Sequence, residues 1–335
     1  MALEPGSPGP QSVEARPSAW GGLNALLDTP AKRWTAIVVL LAAMAAVPLL
    51  PFDSIPYVTV ILTNALLFSI MALGLNIVVG YAGLLDLGYA AFFAVGAYTI
   101  GILTTTFGWN FWAAIPVAVC AAVIAGLIIG GPTLRLRSDY LAIVTLGFGE
   151  IVRIVARNLH ITGGASGIIG IEQPWLFGWH IARPPDFYYV FLVLAIIGIV
   201  VSVRLSRSRL GRAWLYVRHD EDAAEAMGID RVRVKLAAYV IGAIYGAVGG
   251  AFFAVNFTAI SPQSFSFQQS TLFLMAVILG GMGKIPGVIL GAFVVVLGPE
   301  LLRDLGSFRY LVFAVGLLLV MLLRPSGIWP AGGKR

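Results

Sequence analysis

Apolar runs of about 20 residues follow one another along this chain, separated by short segments that contain Gly, Pro and charged residues. A hydrocarbon core about 30 Å thick needs about 20 apolar residues per helix, and each span must satisfy its own backbone polar groups. Strands of a membrane barrel would instead alternate polar and apolar residues over about half that length. The runs therefore predict an all-α integral membrane protein, a polytopic helical bundle.

The composition agrees with this class of protein. Apolar residues make up 59% of the 335 residues and charged residues only 11%, whereas soluble domains carry about a quarter charged residues. The single cysteine, Cys120, lies inside an apolar run, so there is no disulfide framework. The three histidines are scattered without metal-ligand spacing. The sequence therefore indicates no cofactor and no metal site, and nothing in it suggests binding to nucleic acid.

Ten segments are candidate transmembrane helices, with ends defined to within a few residues. Several of them are short or are interrupted by Gly and Pro. Ten crossings, or eight or nine crossings with the remaining segments re-entrant, are therefore compatible with the pattern. The segments are 34–52, 58–79, 88–107, 111–131, 140–157, 187–203, 236–256, 270–283, 286–302 and 309–323.

The basic residues predict the orientation of these spans. Cytoplasmic loops are enriched in Lys and Arg, and with ten spans four basic groups fall on one side of the membrane. Both termini and the loop 204–235 are therefore expected in the cytoplasm. Three arginines fit less well, because each lies near the opposite face: Arg153, Arg157 and Arg309. The net charge of +6 is accordingly interpreted as a topology signal.

The chain divides into three predicted regions. Residues 1–33 are rich in Pro, Gly and Ser and are expected to form a flexible cytoplasmic tail. The region 34–325 is the transmembrane domain, and 326–335 is a cytoplasmic C-terminal tail. A signal peptide is the competing interpretation of the N-terminus, because Lys32 and Arg33 precede an apolar run. An uncleaved first span is favoured, since apolar sequence continues beyond the potential cleavage site.

The loop 204–235 gathers much of the charge of the chain, with eight of the 22 basic and five of the 16 acidic residues. Topology alone explains the basic residues but not the acidic ones. The segment 220–227 has good helix formers, acidic residues in its first turn and Gly228 as a stop. Ala223, Ala224 and Met227 are expected on one face, as a small apolar patch that a cytoplasmic partner could receive. An ordinary solvated loop is the equally supported alternative.

The motif DAAEAMG in this loop resembles the E-A-A-x-x-x-G motif of permease subunits of bacterial ATP-binding-cassette importers. Asp222 replaces the usual Glu, and the Ile-x-Leu-Pro that usually follows is absent. Four further stretches resemble the branched-chain amino-acid permease family, and closely its larger, second permease type. They are GLNIVVGYAGLLDLGYAAFFAVGAY at 74–98, LRLRSDYLAIVTLGFGEIVRIV at 134–155, ITGGASGI at 161–168 and ILGGMGKIPGVILGA at 278–292. The resemblance covers about residues 57–330.

This resemblance implies an importer in the bacterial inner membrane, embedded in lipid, that carries branched-chain or other hydrophobic amino acids. Its expected partners are a second permease subunit, two cytoplasmic ATP-binding subunits and an extracytoplasmic substrate-binding protein. Urea or short amides are alternative cargoes, and a membrane-embedded enzyme or a self-contained channel or carrier is the alternative from another class. Coupling to the ATPase is assigned to the motif, namely to Asp222, Ala223, Ala224, Glu225, Met227 and Gly228.

Nucleotide chemistry is not encoded in this chain. A phosphate-binding loop requires G-x-x-x-x-G-K-[ST], and the two lysines that follow a glycine, Lys284 and Lys334, are followed by Ile and Arg. ATP hydrolysis is therefore expected on partner chains, and the chain itself is expected to be a transport subunit, not an enzyme.

Polar residues near the spans are candidates for the translocation path or for helix breaks. Ionisable residues in spans mark functional sites or internal pairs by default. Glu150 could instead simply pair with Arg153 at i, i+3, and Asp86 could lie at a helix start. The glycine-dense GGMGKIPG could be a break or a tight turn. The candidate residues are Asn76, Asp86, Glu150, Gly281 and Gly283.

Overall fold

The computed structural model describes residues 44–49, 55–133, 138–176, 178–306, 308–323 and 327–328. The chain divides into two units, Met1–Ile55 and Pro56–Arg335. Within the first unit, Val47–Leu49 forms a 3-10 turn. The predicted N-terminal tail, most of the first predicted span and most of the C-terminal tail lie outside the described residues. The contacts given below all belong to the second unit.

The described part of the chain between residues 55 and 323 is a succession of helices. The first, α1, continues directly into a π-helix at Asn76–Tyr81. The α-helices are α1 Ile55–Leu75, α2 Ala90–Thr105, α3 Phe111–Thr133, α4 Ser138–Asn158, α5 Pro184–Arg207, α6 Arg209–His219, α7 Glu221–Ala226, α8 Arg231–Phe257, α9 Phe267–Gly280, α10 Ile285–Leu301 and α11 Phe308–Leu323.

The predicted spans correspond closely to these helices, and the all-α membrane fold is confirmed. Each predicted segment from 58–79 onward coincides with one helix. In the described residues, four helices are long and apolar enough to cross a membrane, and Ala90–Thr105, Phe267–Gly280, Ile285–Leu301 and Leu311–Val320 are shorter apolar helices. The four long ones are Pro56–Tyr81, Phe111–Thr133, Pro184–Arg207 and Arg231–Phe257.

Connecting segments meet at one end of the bundle, here called the sheet end. Two short antiparallel ladders lie there, β1 Ile168–Ile169 with β4 Ala259–Ile260, and β2 Trp175–Leu176 with β3 Trp179–His180. The indole Nε1 of Trp112 donates to the carbonyl oxygen of Trp175 at 2.7 Å. The segments after α2, α4 and α8 are thereby joined at the same end, as alternating crossings require.

The opposite end, here called the loop end, holds α6, α7 and the turn between α9 and α10. The backbone N–H of Ile328 donates to the carbonyl oxygen of Leu279 at 2.8 Å, so the described C-terminal residues also lie at this end. The charged loop 204–235 and residues 327–328 therefore share one end of the bundle, in agreement with the charge pattern.

Glycines allow the two central helices, α2 and α8, to pack closely. A Cβ added at Gly96 would lie 2.1 Å from the carbonyl oxygen of Ala247, and one added at Gly250 would lie 2.0 Å from that of Phe93. Small residues let membrane helices approach to backbone contact, where dispersion forces hold them together. The α2–α8 pair is accordingly the core of the bundle.

Helix α2 starts deep inside the bundle instead of at its surface. The hydroxyl of Tyr89, just before α2, donates to the carbonyl oxygen of Gly242 at 2.9 Å. Gly242 lies 11 residues into α8, about 16 Å along a helix that rises about 1.5 Å per residue. The N–H of Ala90 donates to the hydroxyl of Ser270 in α9 at 2.9 Å. Non-helical backbone at such depth is tolerated where protein surrounds it.

Candidate functional site

Two short helices, α6 and α7, form the loop end of the protein, and each begins with a side-chain cap. The carboxylate of Asp220 accepts from the N–H groups of Asp222 and Ala223, both at 3.0 Å. Gly228 follows α7 with a φ of +82°, which favours glycine. The cap and the stop explain why a helix of only six residues forms here. The helix predicted at 220–227 is confirmed.

The predicted apolar face of α7 is only partly correct. Ala223 is exposed and Met227 is 83% exposed, but Ala224 is only 4% exposed. Helix α7 packs against α6 and the start of α8, and Ala224 lies on the side that faces its own chain. The expectation that Ala224 belongs to the outward patch is therefore wrong. The apolar residues of the predicted patch that are available to a partner are Ala223 and Met227.

The acidic residues of α7 are joined to the first turns of α8 by ion pairs. Arg231 lies 3.5 Å from Asp222 and 3.2 Å from Glu225, measured between nitrogen and oxygen. The ammonium of Lys235, only 4% exposed, lies 2.6 Å from the carboxylate of Glu221. A buried ammonium without its partner would be costly. Helix α7 is thus fastened to the long helix α8, which crosses the bundle.

Helix α6 is held from the other side by a buried tryptophan. Trp214 is fully buried, its indole N–H donates to the carbonyl oxygen of Val234 at 2.7 Å, and its ring stacks on Tyr81 with centroids 6.5 Å apart. Tyr81 is the last residue of the π-helix. Helix α6 therefore contacts both α8 and the π-helix.

A cluster of five residues, here called the Gly80 junction, joins α6 to the π-helix and to the turn between α9 and α10. The guanidinium of Arg218 donates to the carbonyl oxygen of Gly80 in the π-helix. The amide oxygen of Asn76 accepts from the N–H of Gly283 at 2.8 Å, in the turn between α9 and α10. A Cβ at Gly83 would lie 2.8 Å from Cγ of Arg218. The junction consists of Asn76, Gly80, Gly83, Arg218 and Gly283.

Two of the four glycines of the GGMGKIPG segment, Gly281 and Gly283, adopt backbone conformations with positive φ. The values are +104° at Gly281 and +82° at Gly283. Helix α9 ends there, and the N–H of Gly281 donates to the carbonyl oxygens of Val277 and Ile278. The tight-turn interpretation is therefore correct, and the turn also forms part of the Gly80 junction, which the sequence did not indicate.

Asp86 lies at the start of α2, as one of its two interpretations expected, but deep inside the protein. Its side chain is fully buried and one carboxylate oxygen accepts from the N–H of Gly88 at 2.8 Å. The hydroxyl of Thr145 in α4 accepts from the N–H of Leu87 at 3.1 Å. With Ser270 on the N–H of Ala90, three side chains from three segments cap this helix start. Such caps satisfy the free N–H groups of a helix N-terminus.

Glu150 and Arg153 form the predicted internal pair on α4. One nitrogen of the guanidinium, Nη2, lies 2.7 Å from Oε2 of Glu150, and Nε donates to the same oxygen at 2.8 Å. Their side chains are 31% and 25% exposed, respectively. The pair is therefore at the surface of the chain and not in its interior.

No group of three His, Cys, Asp or Glu within the described residues could hold a metal ion. Four residues that make the contacts of this site were not predicted from the sequence, namely Trp214, Arg218, Thr145 and Ser270. For Thr145 and Ser270 a signal existed, since a hydroxyl in an apolar span often caps a neighbouring backbone. Arg218 was counted only as a topology charge.

Known proteins resemble this chain over most of its length. The family model described as branched-chain amino acid transport system / permease component matches residues 57–323. High-affinity branched-chain amino acid transport system permease protein LivM of Escherichia coli (strain K12) is 42% identical over 294 residues, covering 81% of this chain and 69% of that protein. Protein LivH of the same system and organism is 25% identical over 285 residues, covering 78% and 90%.

A relative from a second organism belongs to the same kind of transport system. High-affinity branched-chain amino acid transport system permease protein BraD of Pseudomonas aeruginosa is 25% identical over 287 residues, covering 80% of this chain and 92% of that protein. No solved structure matches the chain. The family match covers well over half of the 335 residues, including the Gly80 junction and α7. The chain therefore belongs to the family of permease components of branched-chain amino acid transport systems.

Proposed function

We propose that this chain is one of two permease subunits of an ATP-driven importer of branched-chain or other hydrophobic amino acids in the bacterial plasma membrane. Its partners are a second permease, two cytoplasmic ATP-binding subunits and an extracytoplasmic binding protein. The observation that carries this proposal is the Gly80 junction, because it connects α6, on which the exposed helix α7 packs, with the π-helix and with the turn between α9 and α10. The names of the relatives support the cargo.

The docking element is α7. A helix of six residues is marginal in isolation, yet this one is capped and fastened to α8 by ion pairs. It presents the apolar side chains of Ala223 and Met227 outward. A groove on an ATPase subunit can receive such a face, with the surrounding charges setting the register. A solvated loop would need neither the caps nor the buried Lys235.

Movement of α7 is transmitted through α6. The ring of Trp214 contacts the π-helix and its N–H bonds to α8, while Arg218 bonds to Gly80. A π-helix is a local irregularity that occurs frequently at functional sites. A displacement of α6 therefore reaches the π-helix directly, and the Asn76–Gly283 hydrogen bond carries it to the turn between α9 and α10.

The resulting rearrangement is alternating access. Discontinuous helices near the middle of the bundle are a recurring feature of transporter binding regions. In this chain the discontinuity is the start of α2, which lies in the interior beside Asp86 and follows the π-helix that contacts the turn at Gly281 and Gly283. ATP-driven displacement of α6 shifts these segments between inward-open and outward-open arrangements. Asn76, Asp86 and Glu150 are assigned to the region that the substrate passes.

The second permease is inferred from the relatives. Two permease proteins of one high-affinity system in Escherichia coli, LivM and LivH, both resemble this chain, at 42% and 25% identity. The chain corresponds to the LivM-type subunit, and a LivH-type subunit is its expected partner.

The decisive experiment is reconstitution in vesicles. The chain is co-expressed with a second permease, an ATPase and a binding protein from the same organism, purified and placed in proteoliposomes. Uptake of L-leucine is expected only with internal ATP and external binding protein. Urea and acetamide in parallel assays test the alternative cargoes. Full uptake by this chain alone, or uptake without ATP, would contradict the importer.

Orientation is tested separately in intact cells. In a Cys120→Ala background, Ala223→Cys is treated with a membrane-impermeant thiol reagent. No labelling is expected until the cells are permeabilised, because α7 is assigned to the cytoplasm. Ile169→Cys, at the sheet end and 75% exposed, is the matched control and should react from outside. Labelling of Ala223→Cys from outside would reverse the topology.

A further inference from the structure

The ion pair of Glu150 and Arg153 lies within the length of a helix that is expected to cross the membrane. Helix α4 runs from Ser138 to Asn158, and Glu150 lies 12 residues from its start and eight from its end. At a rise of about 1.5 Å per residue these separations are about 18 Å and about 12 Å. Arg153 is about one turn nearer to the sheet end. A helix of 21 residues is about as long as the hydrocarbon core is thick, which places Glu150 near the middle of that depth and Arg153 nearer to the sheet-end surface.

The pair is not enclosed by the part of the chain that the structure describes. The side chains of Glu150 and Arg153 keep 31% and 25% of their surface exposed. Charged groups at this depth are costly when they face lipid, and in membrane proteins they almost always face a bundle interior or a water-filled cavity. The exposed side of α4 at Glu150 therefore faces a polar space that the described residues of this chain do not fill.

The surroundings of the pair fit a passage for a small molecule. Gly147 lies one turn before Glu150 on the same face, and a Cβ added there would meet no described atom within 4 Å. On the neighbouring side, Gly149 packs against Gly88, where an added Cβ would lie 3.2 Å from the Gly88 Cα. Gly88 precedes the buried start of α2. The pair thus adjoins the helix break on one side and open space on the other.

The bonding of the pair leaves capacity for a ligand with two opposite charges. Both bonded nitrogens of Arg153, Nε and Nη2, point to the same oxygen, Oε2 of Glu150. Among the described residues, Oε1 of Glu150 and Nη1 of Arg153 have no hydrogen bond. A carboxylate accepts through both oxygens, and a guanidinium carries five N–H donors. The pair is neutral as a whole, so it attracts a dipolar ligand more than an ion of either sign.

From these observations we infer that Glu150 and Arg153 bind the charged groups of an amino-acid zwitterion on the translocation path. The α-ammonium donates to Oε1 of Glu150, and the α-carboxylate accepts from Nη1 of Arg153. The half-exposed side chain of Ile154, one turn after Glu150 on the same face, contacts the apolar side chain of the ligand. This inference rests on the proposed function and adds the part of the cargo that this permease recognises.

The first test asks whether the face of α4 that carries Gly147 and Glu150 is accessible to water and is protected by bound substrate. In the Cys120→Ala background, Gly147→Cys is treated with a water-soluble methanethiosulfonate in the reconstituted importer. We expect rapid labelling that L-leucine slows several-fold during ATP-driven turnover. Ile197→Cys, on the apolar α5 and 53% exposed, is the lipid-facing control and should not react. Labelling of Gly147→Cys only by lipid-soluble reagents, or only when the second permease is omitted, would overturn the inference.

The second test is kinetic. Glu150→Gln and Arg153→Gln are expected to raise the KM for L-leucine uptake by about tenfold or more, since each removes a charge-assisted hydrogen bond. Basal ATP hydrolysis, complex assembly and leucine affinity of the binding protein should stay unchanged. Arg233→Gln, which breaks an i, i+3 pair with Asp230 outside the span, is the matched control. It should leave the KM for L-leucine uptake unchanged.

The outcomes distinguish failure of the zwitterion site from failure of the proposed importer function. If the wild-type complex shows no ATP-dependent uptake, the proposed function fails. If wild-type uptake is normal and both glutamine variants keep the wild-type KM, or lose only complex assembly, the zwitterion site fails alone. If the exchanged pair Glu150→Arg with Arg153→Glu restores the wild-type KM with the wild-type preference among amino acids, the pair is structural and the inference is wrong.

Discussion

The ion pairs of α7 and the Gly80 junction are both contacts of the loop end. They differ in how exposed the paired groups are and in whether water could take the place of the partner. Arg231 and its partners Asp222 and Glu225 are 42%, 96% and 57% exposed, so water can substitute for each of them. The Gly80 junction instead satisfies buried or partly buried backbone groups with side chains from other segments. Exposed pairs contribute little to stability, whereas a buried polar group that loses its partner is costly. The same polar chemistry thus has a small effect at the exposed Arg231 pairs and a large one at the junction.

Gly80→Val should have the largest effect, because the junction has no room for a side chain. A Cβ at Gly80 would lie 2.5 Å from the N–H nitrogen of Gly283, and overpacking of this kind typically costs about 1–3 kcal/mol or more. We expect a strong fall in folded protein and loss of uptake, measured by abundance in detergent and by leucine transport. Gly131→Val, at a helical glycine with no described atom within 4 Å of the added Cβ, is the control. Equal abundance of the two variants would contradict a tightly packed junction.

The double variant Ala223→Arg with Met227→Arg should abolish uptake while leaving the permease folded. Both positions are exposed, so the span is not affected, but two charges would have to be desolvated against the ATPase at a cost of several kcal/mol each. Co-purification of the ATPase and leucine uptake should be lost together at normal abundance. Ala224→Arg is the informative contrast, because the burial of Ala224 predicts lower abundance. Normal uptake by the double variant would mean that α7 is not the docking element.

Arg218→Ala should lower uptake by about tenfold and keep the ATPase bound. It removes the hydrogen bond from a charged donor to Gly80, a contact of about 1.5–3 kcal/mol, without altering α7. The ratio of leucine transported to ATP hydrolysed is the appropriate measurement, since a broken transmission leaves hydrolysis without transport. Arg212→Ala, on the same helix but bonded to the carbonyl oxygen of Arg207 and not to the π-helix, should keep the wild-type ratio. An unchanged ratio for Arg218→Ala would remove this residue from the transmission route.

Arg231→Ala should have the smallest effect. The two ion pairs that it breaks are exposed, and such pairs contribute about 0–1 kcal/mol. Uptake is expected to fall less than about twofold at low salt, with the difference disappearing at high salt because exposed charges are screened. Lys235→Ala, whose ammonium is buried against Glu221, should reduce abundance more clearly. A severe loss with Arg231→Ala would show that the α7 charges contribute directly to docking.

The helical spans were predictable because their cause is local. Each apolar run is long enough to satisfy its backbone within itself, so 111–131 and 236–256 correspond to helices Phe111–Thr133 and Arg231–Phe257 whatever their neighbours are. The helix at α7 was predictable for the same reason, since Asp220 caps it and Gly228 ends it within the same short stretch. The Glu150–Arg153 pair is also local, being one turn apart on one helix.

The tertiary structure alone decided which residues meet across long sequence distances. Nothing in the residues around Gly80 indicates that Arg218 and Gly283, more than 130 and 200 positions later, contact the same π-helix. The depth of α2, the three-segment cap at its start and the burial of Ala224 likewise depend on how helices pack. Helix formation is driven by hydrogen bonds within one segment and by length, which a sequence displays directly. Packing in a membrane depends on close backbone approach between small residues of distant segments, and many glycines in the sequence could serve for that.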